Sequence, residues 1–112
     1  MTIDQLINDL KAGPVPFSET MAVIDAHYHF KPTGFNNGEQ RNEAGTNNGS
    51  CKIFAFAKLH DLPKQAALNA FGHFYTDEVL GDPDGSKHAN IREFIKQGWD
   101  GLQFDGEALE AR

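Results

Sequence analysis

A single cysteine, Cys51, has no partner for an internal disulfide, so stability must come from packing and hydrogen bonding. One unpaired thiol also fits a reducing compartment. No run approaches the roughly 20 consecutive apolar residues of a membrane-spanning helix, and the first residues carry neither the basic stretch nor the apolar block of a secretory signal. Positive charge is scarce. Lys and Arg number 10 against 16 Asp and Glu, giving a net charge of −6. That sign is wrong for a surface that tracks phosphates or anionic lipid, so neither nucleic acid nor membrane is an expected partner. Glycine-rich phosphate loops, internal repeats and low-complexity linkers are also missing. The expectation is an acidic, cytoplasmic protein of one domain, residues 1–112.

Aromatic residues are what the chain has in supply. Nine Phe, two Tyr and one Trp give enough apolar volume for a core built without metal or disulfides. Thr2 caps a first helix whose Ile3, Leu6, Ile7 and Leu10 share one face, and Gly13 and Pro14 end it. Ser18 is the expected cap of a second helix reaching Ala26, with Phe17 as a hydrophobic staple before it. Tyr28–Phe35 reads as a strand at an edge, because Pro32 brings no ladder donor. Asn36-Asn37-Gly38 is a turn signal, with a short return strand at Glu39–Asn42.

A polar loop, Asn42 to Ser50, then delivers Cys51 to the most apolar stretch of the chain, a helix from about Cys51 to Leu59. With charge only at Lys52 and Lys58, this helix belongs in the core. Pro63 opens the next helix, which runs through Ala66, Leu68 and Phe71 to Gly72. Phe74–Leu80 is a short helical turn and Asp82-Pro83-Asp84-Gly85 a tight one. Ser86 or Asn90 opens a last helix closed by Gly98. Trp99–Phe104 reads as a strand and Gly106–Ala111 as a weak helical tail. The fold expected is α+β, four or five helices packed around one small, curved sheet.

Three places carry residue types capable of chemistry. His27 and His29, after an apolar run, have the spacing of paired metal ligands on a strand. The architecture that uses such a pair is a barrel of about 200 residues or more, so no metal and no other cofactor is expected. Cys51 is the second candidate. With Ser50 as cap it sits at the positive end of a helix dipole beside Lys52, where a thiol's pKa falls. A catalytic cysteine there needs an imidazole, from His27 or His29, oriented by Asn42 or Asn47. Ile53, Phe54 and Ala55 follow at once and draw the thiol inward instead. Third, Asn42, Glu43, Asn47, Asn48 and Ser50 can form a polar pocket at the helix mouth for an anion or small ligand.

Over nearly its whole length the chain resembles the HopJ type III effector family. The residues carrying the resemblance are Tyr28, Phe30, Pro32, Thr33, Phe35, Asn37 and Gly38, then Asn42-Glu43-Ala44-Gly45, Asn47 and Gly49-Ser50-Cys51-Lys52. Phe54-Ala55-Phe56-Ala57, Phe71-Gly72, Tyr75, Asn90-Ile91-Arg92, Phe94, Gly98-Trp99, Gly101 and Phe104 continue it. The resemblance implies a bacterial protein, similar ones being widespread in bacteria, and assigns no activity, substrate or catalytic residue. Three functions follow: a non-enzymatic domain binding a protein or small molecule, a small cysteine hydrolase or transferase on Cys51, or an effector secreted through a type III system to act on host proteins. Purified protein is expected to carry no stoichiometric zinc or iron. Elemental analysis finding one equivalent per chain, lost on replacing His27 and His29 with alanine, contradicts that expectation.

Overall fold

Thr2 starts the chain with a reciprocal pair of hydrogen bonds. In this computed structural model of residues 1–112, its hydroxyl accepts from the Gln5 amide at 3.1 Å while its own amide donates to Gln5 Oε1 at 2.8 Å. Helix α1 (Ile3–Ala12) follows and buries Leu6 and Leu10. Its C-terminal end is closed from a distance, by the buried Asn69 amide donating to Leu10 O at 2.7 Å. Helix α2 (Phe17–His27) starts two residues early: Pro16 occupies the cap position and Ser18 makes no capping bond. Phe17 is therefore inside the helix, its ring edge-on to Phe74 at 5.2 Å.

The strand expected at Tyr28–Phe35 is divided into β1 (Tyr28–Phe30) and β2 (Phe35–Asn37). Strand β3 (Gln40–Asn42) returns across the two-residue loop Gly38-Glu39, where Gly38 alone has positive φ, at +59°. A Cβ at Gly38 would collide with Glu93, so the hairpin needs glycine twice over. Two strands near the C-terminus, β4 (Leu102–Phe104) and β5 (Leu109–Ala111), complete the set. They form two sheets rather than one, β1-β5 and β3-β2-β4, all antiparallel.

Both long-range pairings nevertheless keep a single register. Phe30 lies opposite Leu109 and Phe35 opposite Phe104, while Lys31 N donates to Ala108 O and Asp105 N to Gly34 O on either side of the gap. Residues 27–38 and 101–112 are thus one ribbon, interrupted where Pro32 has no amide to give and Thr33 bonds back to Lys31 O. This pairing corrects the expected helical tail at Gly106–Ala111. A waiting partner strand outweighs a weak local helical preference. Trp99–Phe104 is likewise strand only from Leu102, its first part being a 3-10 turn at Gly98–Gly101.

Helix α3 (Asn48–Leu59) runs through the centre, burying Cys51 and every residue from Ile53 to Ala57. Helix α4 (Lys64–Asn69) begins just after Pro63. The short α5 (His73–Thr76) starts from Gly72, which introduces this turn rather than capping α4. Helix α6 (Ala89–Gln97) starts from His88, not Ser86 or Asn90, and Gly98 closes it as expected. The count is six helices, against four or five expected, around two small sheets where one was expected, and the class is α+β as foreseen. Phe54 is the centre of the core, its ring 4.8 Å from Phe94, 5.5 Å from Phe71 and 6.1 Å from Phe35. Phe56, equally enclosed, packs edge-on to Tyr28. Truncation of Phe56 to alanine is expected to cost roughly 3–5 kcal/mol in urea unfolding; a loss below about 1 kcal/mol contradicts its place in the core.

Candidate functional site

Two helices start at the same place and neither is capped by a side chain. Helix α3 is introduced by Asn47 at φ 49°, and α6 by His88 at φ 59°, both in the left-handed region. A residue in that conformation cannot turn its own side chain onto the first turn as an extended cap does, and no other side chain replaces it. The leading amides of a 12-residue and a 9-residue helix therefore lack side-chain acceptors, with both dipoles positive at this end. Between them lies a cleft of about 440 Å³. Asn47, Gly49 and Ser50 form one wall, His88, Ala89 and Asn90 the other, and Phe17, Phe71 and Phe74 supply aromatic lining.

Behind the cleft, four asparagines hold the two helix starts together. Asn42 and Asn90 exchange amide hydrogen bonds, Nδ2 of Asn42 to Oδ1 of Asn90 at 3.0 Å and the reverse at 2.8 Å. Asn47 donates to Asn42 Oδ1 at 2.7 Å, tying in the residue that introduces α3. Asn37, from the β-hairpin, donates to both the backbone carbonyl and Oδ1 of Asn90. Asn37 and Asn42 are fully enclosed, where an amide without partners is costly. The one buried side-chain atom left unpaired is Asn37 Oδ1.

Arg92, on α6, fixes the other rim. Its guanidinium donates to the carbonyls of Lys87, Asp82, Pro83 and Glu78, gathering the 78–87 loop against the helix. His88 Nε2 lies 3.0 Å from Glu78 Oε1, and that hydrogen bond holds the Glu78 carboxyl below its ordinary range.

The model of the HopJ type III effector protein family matches residues 3–109. The chain belongs to this family. The crystal structure of the unknown function protein VPA0580 is similar at 46% identity and a TM-score of 0.96, covering 100% of this chain and 95% of that one. No curated protein matches. All four asparagines of the network and Arg92 are among the residues on which the HopJ resemblance rests.

In this HopJ protein the expected polar pocket is only partly assembled as foreseen. Asn47 and Ser50 line the cleft, and Asn42 supports it from behind. Glu43 is exposed, 3.2 Å from Arg41 Nε, and its carbonyl closes a local turn with Thr46. Asn48 is exposed and outside the lining. Ser50 is the third residue of α3 rather than its cap, and the Cys51 amide already donates to Asn47 O at 3.0 Å. Cys51 is therefore not among free amides, which removes the expected dipole setting. Asn37 and Asn90 were read from sequence as turn and helix-start residues; their meeting across 53 positions has no local signal.

Cys51 is 1% exposed and its thiol donates to Thr33 O at 3.5 Å, at the interruption of the ribbon. Burial pushes its pKa up. Lys52 is directed elsewhere, 2.8 Å from Asp25 and over the Phe30 ring. His27 reaches Met1 O and His29 is exposed on β1; neither bonds the thiol. No three His, Cys, Asp or Glu side chains come together as a set able to hold a metal. A pair not foreseen is Tyr28 and His60, hydroxyl to Nε2 at 2.6 Å, where burial lowers the His60 pKa and so favours the neutral ring.

Native protein is expected to react with iodoacetamide far more slowly than a free thiol across pH 7–9, and at the free rate once unfolded. Because the folded thiol's pKa is raised, its contribution to stability is complete below the unfolded pKa and is lost as pH rises through the folded one. Alkylation that is fast at pH 6 in native protein contradicts this placement.

Proposed function

We propose that this HopJ protein is a non-enzymatic binding domain. Its ligand is a small molecule with an anionic head and a flat apolar body, seated between the starts of α3 and α6. The observation that carries this reading is the convergence of two uncapped helix N-termini on one aromatic-lined cleft. Leading amides and aligned dipoles favour a carboxylate or phosphate. Phe17, Phe71 and Phe74 favour an apolar body, and the Ser50 hydroxyl adds a donor. The net charge of −6 disfavours long polyanions at a distance, which points to a compact ligand.

The hydrolase alternative needs an ionised, reachable thiol with an imidazole partner. The enclosed Cys51, bonded to a backbone carbonyl, weighs against it. The family's name carries a further reading, delivery through a type III secretion system. No helix is long and apolar enough to cross a membrane. Residence in the cytoplasm and delivery to a host are both compatible with a binding domain, and a translocation reporter fused to the chain distinguishes them.

Titration of isotope-labelled protein with phenyl phosphate and with benzoate tests the proposal. Saturable shifts are expected at the amides of residues 48–50 and 89–91. Ala89→Glu places a tethered carboxylate at the α6 start, where it favours the helix but competes for the site. It should weaken binding at least about tenfold, roughly 1.4 kcal/mol, without lowering the melting temperature. Shifts elsewhere, or none at millimolar ligand, contradict the proposal.

A further inference from the structure

A second surface, sharing no residue with the first, lies along the outer edge of the ribbon. Strand β4 is the last strand of its sheet and β5 pairs only with β1, so the segment from Leu102 to Ala111 has one side without a partner strand. Asp105 N donates inward to Gly34 O. Antiparallel alternation then turns the N–H and C=O of Phe104 outward, to the side of β4 that no strand occupies. Alongside runs the C-terminal half of α3. Between helix and edge lies a trough formed by two adjoining clefts of about 450 Å³ and 240 Å³, which share Lys58. Its apolar lining includes Leu59, Phe104 and Leu109 in the larger cleft and Trp99 and Leu102 in the smaller. Leu59, the last residue of α3, is 57% exposed and adds its apolar side chain to this surface.

Charge indicates what this trough accepts. Glu107 lines the larger cleft and Asp61 the smaller, and neither belongs to any ion pair. Lys58 lies over the Phe104 ring. A second copy of this chain would bring the same carboxylates edge to edge, so the trough is ill suited to self-pairing. We infer that it docks an extended, basic peptide segment of another protein, which adds a strand beside β4, seats an apolar side chain near Leu59 and Phe104, and sets its cations against Asp61 and Glu107. Main-chain bonds to the edge supply affinity and the trough supplies selectivity.

The test is titration of the labelled full chain with a seven-residue peptide alternating lysine with valine and leucine. Two controls accompany it: the same peptide with glutamate for lysine, and one N-methylated on alternate backbone nitrogens. Saturable shifts are expected at Phe104, Gly106, Lys58 and Leu59, with the acidic peptide bound at least about fivefold more weakly and the N-methylated one not bound. The double variant Asp61→Asn/Glu107→Lys changes two exposed side chains and keeps a residue suited to the left-handed backbone at position 61, φ 52°, so the fold should persist while affinity for the basic peptide falls by about fivefold. Equal binding of the basic and acidic peptides overturns the inference. So does the absence of saturable shifts, or self-association of the free chain through this edge.

Discussion

The amide pair between Asn42 and Asn90 is the constraint on which the cleft between α3 and α6 depends. Within the pair each side chain gives one bond and accepts one, and both residues are buried, where an unmatched amide is costly. Its geometry joins the β2–β3 hairpin, and the loop that leads from it into α3, to the start of α6, 48 positions along the chain. Through Asn47 it also fixes the left-handed residue that aims α3 at the cleft. An apolar core alone would fix the rough docking of α6 on Phe54 through Phe94. Directional hydrogen bonds set where the two helix starts stand relative to each other.

The ribbon and the cysteine belong to one arrangement. Pro32 breaks the ladder, and Thr33 directs its hydroxyl to Lys31. The Thr33 carbonyl is met instead by the Cys51 thiol from the first buried turn of α3. A weak donor suffices there, because one bond is needed in an otherwise apolar setting. The sole cysteine is accounted for by packing and this contact.

Local features were legible in the sequence and distant ones were not. The α1 capping box spans four residues and is visible in them, as is the burial of Ile53–Ala57. The caps assigned to Ser18 and Ser50 failed for different reasons. Proline takes the position before α2, and α3 is introduced from the left-handed region, where a serine further along has no role as a cap. Strand β5 could not be read because its partner lies about 80 residues earlier in the chain. Asn47 and Ser50 could be placed beside the mouth of α3 because a polar loop running into an apolar helix shows in the sequence. Asn37 and Asn90 were not, because a buried amide and an exposed one look alike until the chain is folded.

The central claim is that the asparagine pair couples stability to the form of the cleft. A double-mutant cycle with Asn42→Ala and Asn90→Ala, read by urea unfolding, tests it most directly. Each single change strands a buried amide and should cost about 1–3 kcal/mol. The account predicts that the double variant loses clearly less than the two costs combined, with a coupling of about 1 kcal/mol or more. Additivity to within about 0.5 kcal/mol contradicts it.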